Sequence, residues 1–158
     1  MKLNGTAEFP YSASDVWTAL HDIDVLAKAI PGCKSVVSAG DNEYVVAVSL
    51  GVAAIIGDYE GTIRVNDVEF PRYYMLEGKG SGTPGYINVS VDIHLETTTT
   101  GTCLAWSCDA EVGGIIAGIG GRVLTGISKY MAKQFFKAFA DEMNLAFEGK
   151  RIESAGVN

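Results

Sequence analysis

At 158 residues the chain has the length of about one domain, and a chain of this size buries roughly 70% of the surface its unfolded form exposes, without disulfides or a metal. With 47% hydrophobic and 20% charged residues it is not a disordered chain, and 19 glycines against four prolines follow no collagen-like period. A formal net charge of -7 argues against a nucleic-acid-binding surface.

Leu3 to Phe9 reads as a first strand, stopped by Pro10. Ser12 and Ser14 are N-cap candidates for a short helix whose Val16, Trp17 and Leu20 share one stripe. Asp22 or Asp24 can cap a second short helix through Val25, Leu26 and Ala29, ended by Pro31-Gly32.

From Ser35 to Val112 the period changes to two. Tyr44, Val46, Val48 and Leu50 alternate with smaller residues. Between Tyr86 and Glu96, Ile87, Val89, Val91, Ile93 and Leu95 take one face, and Asn88, Ser90, Asp92, His94 and Glu96 the other. That is an antiparallel strand with one wet side. Leu104, Trp106, Cys108, Ala110 and Val112 repeat the inward pattern. Turn signals at Gly40-Asp41-Asn42, Gly51, Phe70-Pro71, Gly82 to Gly85 and Thr100-Gly101 divide the region into about six strands.

From about Ile119 to Phe147 the chain has no proline, and beyond Gly126 no glycine. At about 100° per residue, Leu124, Ile127, Met131, Phe135, Ala138 and Leu145 fall on one side of a long helix. Arg122, Lys129, Lys133 and Lys137 fall on the other. The expected fold is therefore α+β: a curved antiparallel sheet of about seven strands around one long C-terminal helix, with two short helices after strand 1. Residues 1–148 read as a single domain and 149–158 as a short tail. A curved sheet gripping one helix leaves room for an apolar cavity between them.

Cys33, Cys103 and Cys108 form no metal pattern, and Cys103 and Cys108 lie on opposite faces of one strand. The N-terminal stretch MKLNGTAEFP lacks an apolar run of signal-peptide length, and nowhere do eighteen apolar residues run together. We therefore expect a reduced, cytoplasmic, non-spanning protein with no metal and no cofactor.

Several stretches together resemble one family. They are KLNGTAEFPYSASDVWTAL at the start, Ile30-Pro31-Gly32-Cys33, and the G-V-x-x-x-x-G-x-Y-x-G of Gly51 to Gly61. Further on come Gly78-Lys79-Gly80-Ser81-Gly82, and the V-G-G-x-x-A-x-x-G of Val112 to Gly120 leading into a helix with Gln134-Phe135-Phe136. In this order, over residues 2 to about 147, the chain resembles the carbon monoxide dehydrogenase G-subunit family. That family lies within the START-like, or birch-pollen-allergen, helix-grip superfamily, which includes polyketide cyclases. The resemblance implies no catalytic motif. It implies instead an accessory or membrane-recruitment role for a carbon monoxide dehydrogenase-type molybdenum hydroxylase, and a sheet–helix cavity for lipids or other hydrophobic molecules. Many members continue into a proline- and alanine-rich linker with an amphipathic tail. This sequence stops at Asn158, so anchoring through such a tail is not expected.

Placed on this fold, the ligand-binding cavity is expected to be lined by Tyr44, Val46, Val48, Ile87, Val89, Val91, Trp106 and Cys108 from the strands, and by Leu124, Ile127, Met131 and Phe135 from the helix. Plain core packing accounts for part of this set. Three nearly uncharged loops, 51–57, 81–86 and 113–121, should meet at one end of the cavity. There Ile55, Ile56, Tyr86, Ile115, Ile116 and Ile119 form either an exposed lip for membrane or ligand contact, or an inward plug. The glycine-rich 113–121 loop lacks the Lys-Ser/Thr of a P-loop, so nucleotide binding is not expected.

The basic stripe is first an ordinary solvated helix face, and more sharply a contact for anionic headgroups. Residues 122–158 hold six Lys/Arg against four Asp/Glu, whereas residues 1–121 hold six against fifteen. His21, His94, Asp58, Glu60, Asp109 and Cys108 do not pair into a nucleophile–base set, so turnover is not expected. The leading expectation is a non-enzymatic carrier of a lipid or quinone, partnered by a dehydrogenase and touching a membrane peripherally at its inner face. A ligand-free adaptor, and a cyclase or hydrolase using the cavity, stand behind it.

Overall fold

The computed structural model describes residues 1–52 and 55–147. The expected tail, and Ala53 and Ala54 of the first lip loop, lie outside the described residues. The chain runs β1 (Lys2–Phe9), α1 (Ala13–Leu20), α2 (Ile23–Ala29), β2 (Cys33–Gly40), β3 (Glu43–Leu50), β4 (Gly57–Glu69), β5 (Tyr73–Gly82), β6 (Gly85–Thr98), β7 (Gly101–Gly113), a 3-10 turn (Gly114–Ile119) and α3 (Gly121–Ala146). The seven strands form one antiparallel sheet in the order β1-β7-β6-β5-β4-β3-β2. Each neighbour in sequence from β2 to β7 is a neighbour in space, so hairpins build most of the sheet, and only β1 joins from far along the chain.

The local signals act where the sequence placed them. Ser12 caps α1 by accepting from the Asp15 amide, and Asp22 caps α2 by accepting from the amides of Asp24 and Val25. Asn42 takes a left-handed φ of 59° at the β2–β3 turn, a conformation asparagine tolerates better than most residues. Val16, Trp17 and Leu20 are buried.

Two hydrophobic clusters hold the sheet to α3. The larger gathers Phe9, Tyr11, Trp17, Tyr74, Leu104, Phe139 and Met143. The smaller consists of Ile55, Ile116 and Leu124 at the opposite end. Thr102 is almost fully buried and donates its hydroxyl to the Tyr11 carbonyl at 2.7 Å, joining β7 to the β1–α1 connection. Lys28 of α2 and Glu142 of α3 are 3.6 Å apart, a partly exposed pair that adds little.

One expectation about α3 is corrected. Leu145 is 74% exposed, whereas Phe139 and Met143 are fully buried. Counting about 100° per residue from Leu124, Met131 and Phe135 stay within about 20° of it, but Phe139 lies near 60° and Met143 near 100°. The buried stripe therefore turns around the helix, because the first half of α3 lies over the sheet and the second half meets α2 and β1. A fixed stripe extrapolated from Leu124 lands on Leu145, which faces water.

Candidate functional site

Between the sheet and the first half of α3 lies a cavity of about 450 Å³ with an almost wholly apolar lining. Ten of the twelve residues expected to line it do so: Val46, Val48, Ile87, Val89, Val91, Trp106, Cys108, Leu124, Ile127 and Met131. Tyr44 and Phe135 do not. They border a second, smaller cavity of about 200 Å³ beneath α1 and α2. Each was one step off: Tyr44 precedes Val46 by two residues on β3, and Phe135 follows Met131 by one helical turn, which carries both past the end of the larger space.

The volume has a local cause that side-chain patterning does not register. On β4 and β5 the inward positions opposite α3 include Gly61, Gly78 and Gly80, and all three line the cavity. In register, Gly61 pairs with Gly80 and Ile63 with Gly78. Where other strands project a valine or isoleucine, these project nothing, so the sheet floor is bare backbone. Glycine at alternate positions in Gly78-Lys79-Gly80-Ser81-Gly82, within a run otherwise reading as a strand, was the available signal. Gly5 acts similarly on β1: a β-carbon there would sit 2.9 Å from the Trp106 indole, so the missing side chain gives that ring its place.

Two hydroxyls at the cavity are spent on backbone carbonyls. The Ser128 hydroxyl donates to the Leu124 carbonyl at 2.8 Å, and the Tyr59 hydroxyl donates to the Ile55 carbonyl at 2.8 Å. Burial, reinforced by Asp109, pushes the Cys108 thiol above its ordinary value, opposed by the N-terminal ammonium, so the neutral thiol is favoured. No nucleophile–base pair lines the cavity among the described residues.

The three loops do meet at one end. The Ile116 amide donates to the Pro84 carbonyl at 3.0 Å, and Gly57 approaches the Pro84 ring. The two alternatives for the isoleucines divide residue by residue. Ile55 and Ile116 turn inward, are buried, and close that end of the cavity. Ile56 (64% exposed), Ile115 (71%) and Tyr86 (43%) face solvent. Ile119 is half-buried against the Ile55–Ile116–Leu124 cluster. The segment Gly114–Ile119 is a 3-10 turn rather than an open loop, and the Tyr59 hydrogen bond ties Ile55 to β4.

Arg122, Lys129, Lys133 and Lys137 are all exposed on the side of α3 away from the cavity, and no ion pair among the described residues engages them. Val123 and Tyr130 are exposed on the same outer side. Sequence reasoning did not single these out, because single apolar residues on a charged face carry no periodic signal.

In the smaller cavity, His21 stands stacked on Trp17 at 4.8 Å and edge-on to Tyr74 at 4.7 Å. Its Nδ1 lies 2.8 Å from the Trp17 carbonyl, which can only accept, so Nδ1 carries the proton. Burial holds the His21 pKa below its ordinary value of 6.5, the Trp17 hydrogen bond opposing. A histidine pKa depressed by folding means that the unfolded chain takes up the proton first. Its contribution is therefore full above about pH 6.5 and is lost as pH falls through that value toward the folded-state pKa. Urea titrations at pH 7 and at pH 5.5 should show wild type losing stability across this window, with a smaller loss for His21→Phe. Equal losses in the two proteins would contradict this account of His21.

No helix of the described residues is long and apolar enough to cross a membrane. The family model for the carbon monoxide dehydrogenase G-subunit (CoxG) matches residues 5–144. No curated protein matches the chain. Among solved structures, a conserved protein from Geobacillus kaustophilus is 35% identical, with a TM-score of 0.89, covering 92% of this chain and 97% of that one. A START superfamily protein from Mycobacterium smegmatis shares the fold at 12% identity and a TM-score of 0.72, covering 92% and 98%. So does the Zhui aromatase/cyclase from a Streptomyces species, at 15% identity and a TM-score of 0.69, covering 94% and 98%. With the seven-stranded sheet gripping α3, and the family model spanning all but the two ends, the chain belongs to the CoxG family and has a START-like fold.

Proposed function

We propose that this protein is a non-enzymatic carrier of a hydrophobic small molecule, a lipid or a quinone, serving a carbon monoxide dehydrogenase-type molybdenum hydroxylase as an accessory and membrane-recruitment factor. The observation that carries the reading is the 450 Å³ cavity with its glycine floor and apolar walls. Natural cores close to crystal-like density, and a void of this size forgoes contacts that side chains would supply at ordinary glycine positions. A guest that buries its chain there gains about 0.8 kcal/mol per CH₂. The dehydrogenase partner rests on family membership, and the quinone on the electron-transfer chemistry such a partner needs. Organic extraction of the purified protein, followed by mass spectrometry of the extract, should return one class of lipid or quinone. Protein that yields nothing and takes up nothing on titration would overturn the carrier reading.

The outer surface supports loading at a membrane. Ile56, Tyr86 and Ile115 stand exposed at the cavity end, and the exposed Arg122 is the second residue of α3, seven residues after Ile115. Apolar insertion together with cations near anionic headgroups is how a soluble fold touches a bilayer briefly. Reversing charge with Lys129→Glu, Lys133→Glu and Lys137→Glu should lower affinity for phosphatidylglycerol vesicles in low salt by about a hundredfold or more, three cations at about 1 kcal/mol each, read by co-sedimentation, and leave the fold unchanged. Undiminished co-sedimentation would remove the stripe from the membrane contact. The adaptor reading is favoured by the same exposed residues, and loss of dehydrogenase pull-down in a cavity-filled protein would count against it.

A further inference from the structure

The two cavities lie end to end under the same strands. Moving two residues along each strand carries the lining from the larger to the smaller: Val46 to Tyr44, Gly78 to Leu76, Val91 to Ile93, Trp106 to Leu104. Ile63 borders both. The larger space is almost wholly apolar, and its Tyr59 and Ser128 hydroxyls are spent on backbone carbonyls, whereas the smaller is bordered by His21, Tyr44 and Tyr74. Tyr74 is only 2% exposed. Among the described residues neither tyrosine hydroxyl has a hydrogen-bond partner, and His21 uses only Nδ1. No fully buried polar side-chain atom among the described residues lacks a partner, so these two hydroxyls and His21 Nε2 are accessible groups, free to bond a guest that enters beside them.

We propose that the smaller cavity is the head-group subsite of the carrier, taking an uncharged head that bears carbonyl or hydroxyl oxygens, with the ligand's apolar chain lying past Ile63 in the larger cavity. This rests on the carrier reading. The two phenols donate to head oxygens, and His21 Nε2, left a bare lone pair by the tautomer that Trp17 fixes, accepts from a head hydroxyl. No counter-charge lines the subsite, so a carboxylate or phosphate head is excluded by the cost of burying it unpaired. Burial also keeps His21 neutral and Tyr74 protonated, in agreement with an uncharged guest.

The test uses calorimetric titration with three probes of one chain length: 2-dodecanone, 1-dodecanol and dodecanoate at pH 8. Tyr74→Phe and Tyr44→Phe each keep the ring and remove only an unpaired hydroxyl, so folding is retained. Each should weaken 2-dodecanone roughly fivefold, the scale of one lost hydrogen bond, and leave dodecanoate unchanged. Tyr73→Phe, on the outer face of β5, should change neither. The infrared carbonyl band of bound 2-dodecanone should lie below its position in hexane, and should return to it in the double variant. Ketone affinity and carbonyl band both unaffected by the double variant would overturn the head-group assignment. If all three probes then still bind and Gly80→Leu abolishes binding, the carrier reading survives that failure. If no probe binds wild type at all, both readings fall together.

Discussion

Gly80→Leu should abolish ligand uptake and at the same time raise the stability of the empty protein. A β-carbon at Gly80 would sit 3.6 Å from Ile87 Cγ2 and 3.9 Å from the Glu60 carbonyl oxygen, both ordinary contacts. The rest of a leucine would extend on the side of Ile87, which lines the cavity. Burying that side chain is worth roughly 1.5–3 kcal/mol, and removing glycine from a strand interior adds to it. A net gain of about 1–2 kcal/mol in urea unfolding is expected, together with at least a tenfold loss of affinity for any apolar guest. Gly61→Leu should behave oppositely. Its β-carbon would overlap the Lys79 carbonyl oxygen on the neighbouring strand, so β4 and β5 must part, at a cost of about 1–3 kcal/mol. The opposite signs at two paired glycines distinguish a space kept open for a guest from a general intolerance of side chains. If Gly80→Leu destabilises as much as Gly61→Leu, the space is not available in solution.

Phe139→Ala should cost about 3–5 kcal/mol, enough to threaten folding of a domain of this size. Phe139 is fully buried, meets Phe9 of β1 edge-on at 5.3 Å and stacks on Phe135 at 5.9 Å. It joins the far half of α3 to the edge of the sheet, so truncation leaves a void between elements that cannot easily close. Leu145→Ala, six residues on, should change stability by less than about 0.5 kcal/mol, because the side chain is 74% exposed. Chemical denaturation of the two variants reads the contrast directly. A comparable loss in both would mean that the buried stripe of α3 runs straight and that its turn toward α2 is wrong.

The fold was legible because two periods are hard to confuse. Ile87 to Leu95 and Leu104 to Val112 alternate cleanly, and the inward set of each faces α3. The N-caps Ser12 and Asp22 mark the short helices for the same reason: their oxygens satisfy amides that a helix start leaves bare. The errors came from extrapolating a local rule across the length of an element. Leu145 was placed by a constant helical phase, which holds only while the helix keeps one neighbour. Tyr44 and Phe135 were placed by facing direction alone, which gives the side of a strand or helix and not the position along it. The lip divided between two alternatives because adjacent residues of a short turn point opposite ways, Ile55 in and Ile56 out, Ile116 in and Ile115 out. Periodicity has nothing to count over two residues.

The cavity floor was missed for a different reason. Hydrophobic patterning registers side chains that are present, and Gly61, Gly78 and Gly80 shape the site by lacking them. The His21–Tyr44–Tyr74 group was invisible because His21 follows α1 while the tyrosines lie on β3 and β5. No sequence spacing brings them together; the sheet register and the seat of α1 do.

Native mass spectrometry of the wild-type protein beside Gly80→Leu, each after incubation with a bacterial membrane extract, tests the central claim most directly. The account predicts a discrete added mass of one lipid or quinone class on the wild type and a bare mass on Gly80→Leu. A bare wild type, or the same added mass on both proteins, would contradict it.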